Sequence, residues 1–242
     1  MTVDDIFNTP RRSVPPFAFD DRVARVFDDM IQRSVPCYEE IIQRQVQLLA
    51  HLHQPGTCIY DLGCSTGNLG LGLCRHRPEL SFSMKAVDSS GPMLALFKER
   101  LRREPYQGEI ALQCQDIRQT PIENAGAVVL NYTLQFLPVA DRTGILARVY
   151  QGLRPNGILL LCEKITHADA TLAELQQTFY YRLKRENGYS ELEISQKREA
   201  LEKVLIPETV ETHLQRLRHC GFTTMDVWLK WFNFAAFMAI KT

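Results

Sequence analysis

Several things are missing from this chain, and each absence removes a class of function. There is no surplus charge: Lys plus Arg and Asp plus Glu both total 28, so the formal net charge is zero. A protein that grips nucleic acid over a wide surface needs a basic footprint, and none is expected here. There is no CxxC pair among the seven cysteines (Cys37, Cys58, Cys64, Cys74, Cys114, Cys162 and Cys220), and their number is odd. That argues for a reduced, cytoplasmic protein rather than a disulfide framework. No apolar run is long enough to span a bilayer. The opening MTVDDIFNTPRR carries early acids and no apolar stretch, which is not the pattern of a signal peptide. His51, His53, His76, His167, His213 and His219 show no metal-ligand spacing. Most are expected at the surface, and no metal is expected.

What is present is apolar substance and a regular alternation. Hydrophobic residues make up 45% of 242, enough for one good-sized core. Residues 1–20, with Pro10, Pro15 and Pro16, read as irregular. DDRVARVFDDMIQRSVP puts Val23, Val26, Phe27 and Met30 on one helical face, and CYEEIIQRQVQLLAHLH forms a second helix. Then come strand TCIYDLG, a helix from Asn68 to Arg75, strand SFSMKAVD, and helix GPMLALFKERLRRE with Pro92 in its first turn. Strands IALQCQD and AGAVVLNY follow, then ADRTGILARVYQGLRPNG as a helix and turn, then strand ILLLCEKI. A charged helical insert, residues 166–206, interrupts the series. It resumes with helix TVETHLQRLRHCGF, capped by Gly221, and two closing strands able to form a hairpin.

Such alternation predicts an α/β, Rossmann-like fold with a mostly parallel sheet covered on both faces. A single domain over residues 1–242 is expected, with 1–56 as a cap segment and helices.

The stretch CIYDLGCSTGNLGLGL, residues 58–73, is the most informative. A strand must turn sharply into a helix while leaving room for a ligand, and Gly63 and Gly67 supply that freedom. A dinucleotide fingerprint needs a third glycine that is absent here. Asp61 also sits poorly beside a pyrophosphate and suits a ligand carrying an ammonium group. S-adenosylmethionine is the better candidate. Asp88 ends the next strand, where a carboxylate can accept from both ribose hydroxyls. Asp116 and Ile117 end the third strand, placed for an adenine amino group and ring. Asn131 ends the fourth, facing the same crevice. Each of these alone would pass for a helix cap or a solvated residue; the specificity lies in four strand ends taken in order.

With FDDRVARVFDDMIQRSVPCYEEII, NYTLQFLP, YQGLRPNG and above all NGYSELEISQKR, the chain resembles the carboxy-S-adenosyl-L-methionine synthase family over roughly residues 4–242. The resemblance implies a class I methyltransferase fold, with a seven-stranded sheet and an antiparallel C-terminal strand. It implies conversion of S-adenosylmethionine and prephenate into carboxy-S-adenosylmethionine and phenylpyruvate through a sulfonium ylide, with no metal. The product then serves a separate tRNA carboxymethyltransferase acting on a wobble uridine, so this chain need not hold tRNA.

Matched position by position, the implied contacts to the nucleoside substrate are Tyr38, Gly63, Cys64, Ser65, Asp88, Ser89, Asp116, Ile117 and Asn131. Ser65 replaces a glycine usual in such sites, and Ser89 an asparagine. Arg198, the implied catalytic residue, reaches across a homodimer interface. A guanidinium is repelled by a plain sulfonium but pairs with a carboxylate once one is attached. From spacing alone, Lys197, Arg198 and Glu199 read instead as a solvated helix face. Arg33 is nominated for the prephenate dianion on charge and position.

Two alternatives stand beside this: an ordinary methyltransferase, which would ignore prephenate, and a protein that binds the nucleoside without turnover.

Overall fold

Apolar segments with little polar interruption become the inner strands. β1 (Cys58–Leu62) is buried at every position, and β4 (Ala125–Asn131) at all but its last. Strands of that composition suit a sheet covered on both faces. In the computed structural model, which describes residues 2–242, they join β2 (Phe82–Asp88), β3 (Gly108–Cys114) and β5 (Leu153–Thr166) in parallel. The closing hairpin forms as expected: β8 (Phe234–Ile240) runs antiparallel to both β5 and β7 (Thr224–Trp231). The order is β3-β2-β1-β4-β5-β8-β7, and a two-residue β6 (Glu208–Thr209) pairs with β5 off this path, making eight strands. The order reverses at β1, so the crevice for a ligand opens above the C-terminal ends of β1 and β4.

Helices α1 (Asp21–Ser34), α2 (Tyr38–His51), α3 (Asn68–His76), α4 (Gly91–Leu101) and α5 (Val139–Gly152) fall where the periodicity places them. Successive side chains of a strand point to opposite faces, and two cores result. Tyr60, Leu62, Val128 and Leu130 pack with α5 and with α8 (Val210–His219). Ile59, Ala127, Val129 and Leu160 pack with Val46, Leu71 and Phe97 on the other side. Each such buried aliphatic contributes about 1.5–3 kcal/mol.

Two expectations need correction. The segment after α5 is no turn: residues 153–157 already belong to β5, with a bulge between the pairs Ala125↔Leu153 and Ala127↔Ile158. Pro155 cannot extend the helix, while buried Leu153 anchors the segment in the core. β3 stops at Cys114, so Asp116 lies beyond it and caps a 3-10 turn, Ile117–Gln119. Of the histidines, His213 is not at the surface. It is 1% exposed beside Phe237, and burial pushes its pKa down to about 4.

The insert forms α6 (Ala170–Glu186) and α7 (Glu191–Leu201), the latter started by a Ser190–Glu193 capping box. Irregular residues 2–20 are tied down across it. The Asp4 carboxylate accepts from the Tyr189 hydroxyl at 2.6 Å. The Gln196 amide donates to the carbonyls of Phe7 and Thr9, each at 2.9 Å, and the Phe17 N–H to that of Ala200 at 3.0 Å. Behind the insert, Arg142 is 1% exposed. It donates to the carbonyls of Gln135, Leu137 and Ile206 and to the Glu208 carboxylate at 2.6 Å. Arg216 holds the other Glu208 oxygen at 2.5 Å.

Candidate functional site

A cavity of about 450 Å³ opens above the strand ends, a size that suits a nucleoside-sized ligand. Its floor is the glycine turn. Gly63 and Gly67 have φ of +84° and +85°, which favours glycine. A Cβ on Gly63 would meet Thr133 Oγ1 at 2.3 Å, and one on Gly67 the Phe97 ring at 2.1 Å. Ser65, where a glycine is usual, is itself left-handed at φ 52°. Its short side chain lies 3.6 Å from Met93 Sδ. The turn is pinned from outside. The Thr66 hydroxyl and Asn68 amide donate to the Asp28 carboxylate at 3.1 Å, and Arg100 reaches both Asp28 and the Thr66 carbonyl.

Asp61 is 2% exposed and lines the cavity. Among the described residues no side chain or N–H donates to its carboxyl group. Burial first, then the neighbouring Asp88 charge, pushes its pKa up to about 7. Asp88 accepts the N–H groups of Ser65 at 2.9 Å and Ser90 at 2.8 Å, and burial raises its pKa. Ser89 lies exposed at the rim. Across the cavity Asp116 is gripped by the Arg118 guanidinium at 2.6 Å, which lowers its pKa, and Ile117 presents a buried side chain.

On the opposite side the Tyr38 hydroxyl accepts from Asn68 at 3.1 Å, and burial raises its pKa. Asn131 forms a reciprocal amide pair with Gln45 of α2, both bonds at 2.8 Å. Cys64 closes the floor, buried, with its thiol pKa raised by that burial.

Thus every implied contact on this chain's own strand ends, together with Tyr38, lines one cavity. Two nominated arginines do not. Arg198 is exposed on α7 and lies outside the cavity, whereas its neighbour Lys197 is buried and lines it. The solvated-face reading therefore fails for Lys197. Arg33 is engaged elsewhere: it pairs with Asp29 at 3.1 Å, donates to the Asn187 carbonyl at 2.8 Å and stacks on Tyr189. It is paired within the chain and does not line the cavity, so the structure does not bring it to the site.

Other residues escaped the strand-end logic. Gln45 holds Asn131 from a helix. Phe19 and Phe136, ring centroids 5.2 Å apart, and Leu205 roof the cavity from segments with no periodic signal. Lys164 lines it at the end of β5. The same logic applied to a fifth strand end, CEKIT, would have reached that lysine. Glu163 points to the other face and accepts the N–H groups of Thr133, Leu134 and Gln135. Burial still pushes its pKa up to about 8.

Residues 59–157 match a family described as "Methyltransferase domain". A carboxy-S-adenosyl-L-methionine synthase from Desulforapulum autotrophicum is 50% identical over 241 residues, covering 100% of this chain and 98% of that one. One from Shewanella amazonensis is 47% identical, covering 98% of each. Among solved structures, human N-acetylserotonin methyltransferase in complex with S-adenosylmethionine superposes with a TM-score of 0.58 at 16% identity. That match covers 91% of this chain and 55% of the human one, and it speaks to the fold alone.

Proposed function

This chain belongs to the carboxy-S-adenosyl-L-methionine synthase family, and we propose that it carboxylates S-adenosylmethionine with prephenate as the carboxyl source, releasing phenylpyruvate. The observation that carries the reading is the convergence of Asp61, Asp88, Asp116 and Asn131 on one cavity above a glycine turn. An acid with no donor among the described residues fits the ligand's ammonium, and the carboxylate that ends β2 fits its ribose.

Decarboxylation of prephenate yields carbon dioxide and an electron pair that expels hydroxide from the ring as it aromatises. The hydroxide takes a methyl proton, giving water and a sulfonium ylide, whose carbon then bonds to the carbon dioxide. The protein's tasks are to place both substrates and keep bulk water out. The roof of Phe19, Phe136 and Leu205 supports that role.

The reading extends to Arg198. Its exposure on α7 suits a residue that completes the cavity of a second copy and meets the new carboxylate there. Prephenate and a homodimer are the partners of this reading, and a separate tRNA carboxymethyltransferase is the consumer of the product. A net charge of zero fits a chain that does not itself hold tRNA. Free thiols throughout fit a cytoplasmic setting. No helix of the described residues is long and apolar enough to cross a membrane.

The test is mass spectrometry after incubating the protein with S-adenosylmethionine, with and without prephenate. A species heavier by one carbon dioxide, formed only with prephenate and together with phenylpyruvate, is expected. Its absence from protein that binds S-adenosylmethionine would send the search back to methyl acceptors.

A second outcome concerns Gln45. Gln45→Leu removes both bonds that orient Asn131, so S-adenosylmethionine affinity should fall about 5- to 30-fold. Calorimetry checks this; an unchanged Kd would mean Asn131 does not touch the ligand.

A further inference from the structure

On the side of the cavity beyond β4, away from Asp88 and Asp116, three lysines gather, and no carboxylate of the described residues neutralises two of them. Lys164 ends β5 and lines the cavity, its Nζ 4.7 Å from the Tyr180 ring centroid. Lys184, 4% exposed, lies behind, with its Nζ 5.0 Å from the same ring and 5.8 Å from that of Tyr189. Lys197 also lines the cavity. The acids nearby are spoken for. Asp4 faces Lys197 at 3.3 Å, which is further satisfied by the Ser34 hydroxyl at 3.0 Å, and Asp29 faces Arg33. Glu163, next to Lys164, is spent on three backbone N–H groups. Among the described residues neither Lys164 nor Lys184 has a carboxylate within ion-pair distance.

A desolvated ammonium without a partner is costly. The cost shows in Lys164, whose pKa burial pulls down to about 8, and in Lys184, lowered further by Lys197 and Lys164. A second unmet polar group lies on the same wall. The Tyr132 hydroxyl is buried with no hydrogen-bond partner among the described residues, and the residue lines the cavity. Phe234 completes the wall, its ring 6.2 Å from Tyr132 and 5.2 Å from Tyr180. The glycine-turn side is acidic and suits a cation; this side is basic and aromatic, and suits a carboxylate on a ring-shaped apolar body.

We propose that Lys164, backed by Lys184 and walled by Tyr132, Tyr180 and Phe234, is the carboxylate-binding subsite for the second substrate. The assignment rests on the two-substrate reading above. It makes Lys164 a substrate contact and Lys184 a positioning residue whose charge keeps the subsite positive.

The test varies prephenate at saturating S-adenosylmethionine for the parent, Lys164→Met and Lys164→Arg. Lys164→Met should raise the KM for prephenate about 10-fold or more, as loss of a charge-assisted hydrogen bond does. The Kd for S-adenosylmethionine should stay within about twofold, and Lys164→Arg should recover part of the loss. A Lys164→Met enzyme with the parent's KM overturns the subsite and leaves the proposed function standing.

If the parent makes no carboxylated product, that function fails instead. The subsite is then judged by calorimetry of prephenate on the parent and Lys164→Met, both loaded with S-adenosylmethionine; equal affinities overturn it. Lysine footprinting of the parent with acetic anhydride needs no variant to fold. Prephenate should slow labelling of Lys164 about fivefold or more, as burying a reactive amine under a bound anion requires. Equal labelling with and without prephenate also overturns the subsite.

Discussion

An Asp61→Asn variant is expected to bind S-adenosylmethionine about 10- to 100-fold more weakly than the parent, the worth of a charge-assisted hydrogen bond in a dry site. The carboxyl is buried and receives no donor from the described residues, so the ligand's ammonium would be its first strong partner. The raised pKa of about 7 adds a pH signature. Below that value the free protein holds Asp61 protonated, and the proton must leave before an ammonium can pair with the carboxylate. Affinity should therefore fall about tenfold per pH unit on the acid side. It should level above pH 7 and fall again once the ligand's own amine loses its proton near about pH 8.

Asp61→Asn has no such acid limb. Calorimetry from about pH 5.5 to 8.5 separates the cases; parallel profiles for parent and variant would rule out the ammonium contact. A stability effect of opposite sign accompanies the loss. A folded pKa above the unfolded one makes ionisation costly to the fold, and the relative stability of the protonated form is lost as pH rises through 7. At pH 8 the ligand-free Asp61→Asn protein should thus melt above the parent.

Arg142→Ala should cost about 3–5 kcal/mol of stability, the range for removing one member of a buried ion pair. The guanidinium meets carbonyls from two segments, residues 135–137 and Ile206, as well as Glu208. All lose a donor at once, and alanine cannot fill the space. Glu208 keeps Arg216 at 2.5 Å, which tempers the loss of charge without replacing the carbonyl contacts. Urea unfolding measures the change; a loss under about 1 kcal/mol would mean that Arg216 or water takes over. Because Gln135, Phe136 and Leu137 line the cavity, the variant should also bind S-adenosylmethionine more weakly under conditions where it is still folded.

What could be read beforehand, and what could not, follows from the range of each signal. β1 to β4 and the helices between them announce themselves locally. Their apolar runs have the right length, and the turn residues fall at fixed offsets. The strand-end residues Asp61, Asp88 and Asn131 were legible for the same reason, since a parallel sheet puts every strand's C-terminal end on one edge. Asp116 lines the same cavity though its strand stops earlier.

Gln45, Lys184 and Lys197 were not legible. On a helix they are polar residues like any other, and only the packing of α2, α6 and α7 against the sheet makes them interior. His213, the one buried histidine, was not singled out for the same reason: it packs against Phe237, which is 24 positions away in the chain. Residues 2–20 carry no period at all, because their bonds go to side chains and carbonyls far along the sequence.

That last feature has a temporal side. Asp4 is synthesised well before its partners Tyr189 and Lys197, which follow 185 and 193 positions later. At about 5–20 residues per second, the opening segment waits on the order of ten seconds or more for the helices that hold it. Meanwhile β1 to β4 and their helices can already assemble. The glycine turn and the acidic half of the cavity are thus made before the roof, and a growing chain passes through a stage in which the nucleoside's seat stands open to water.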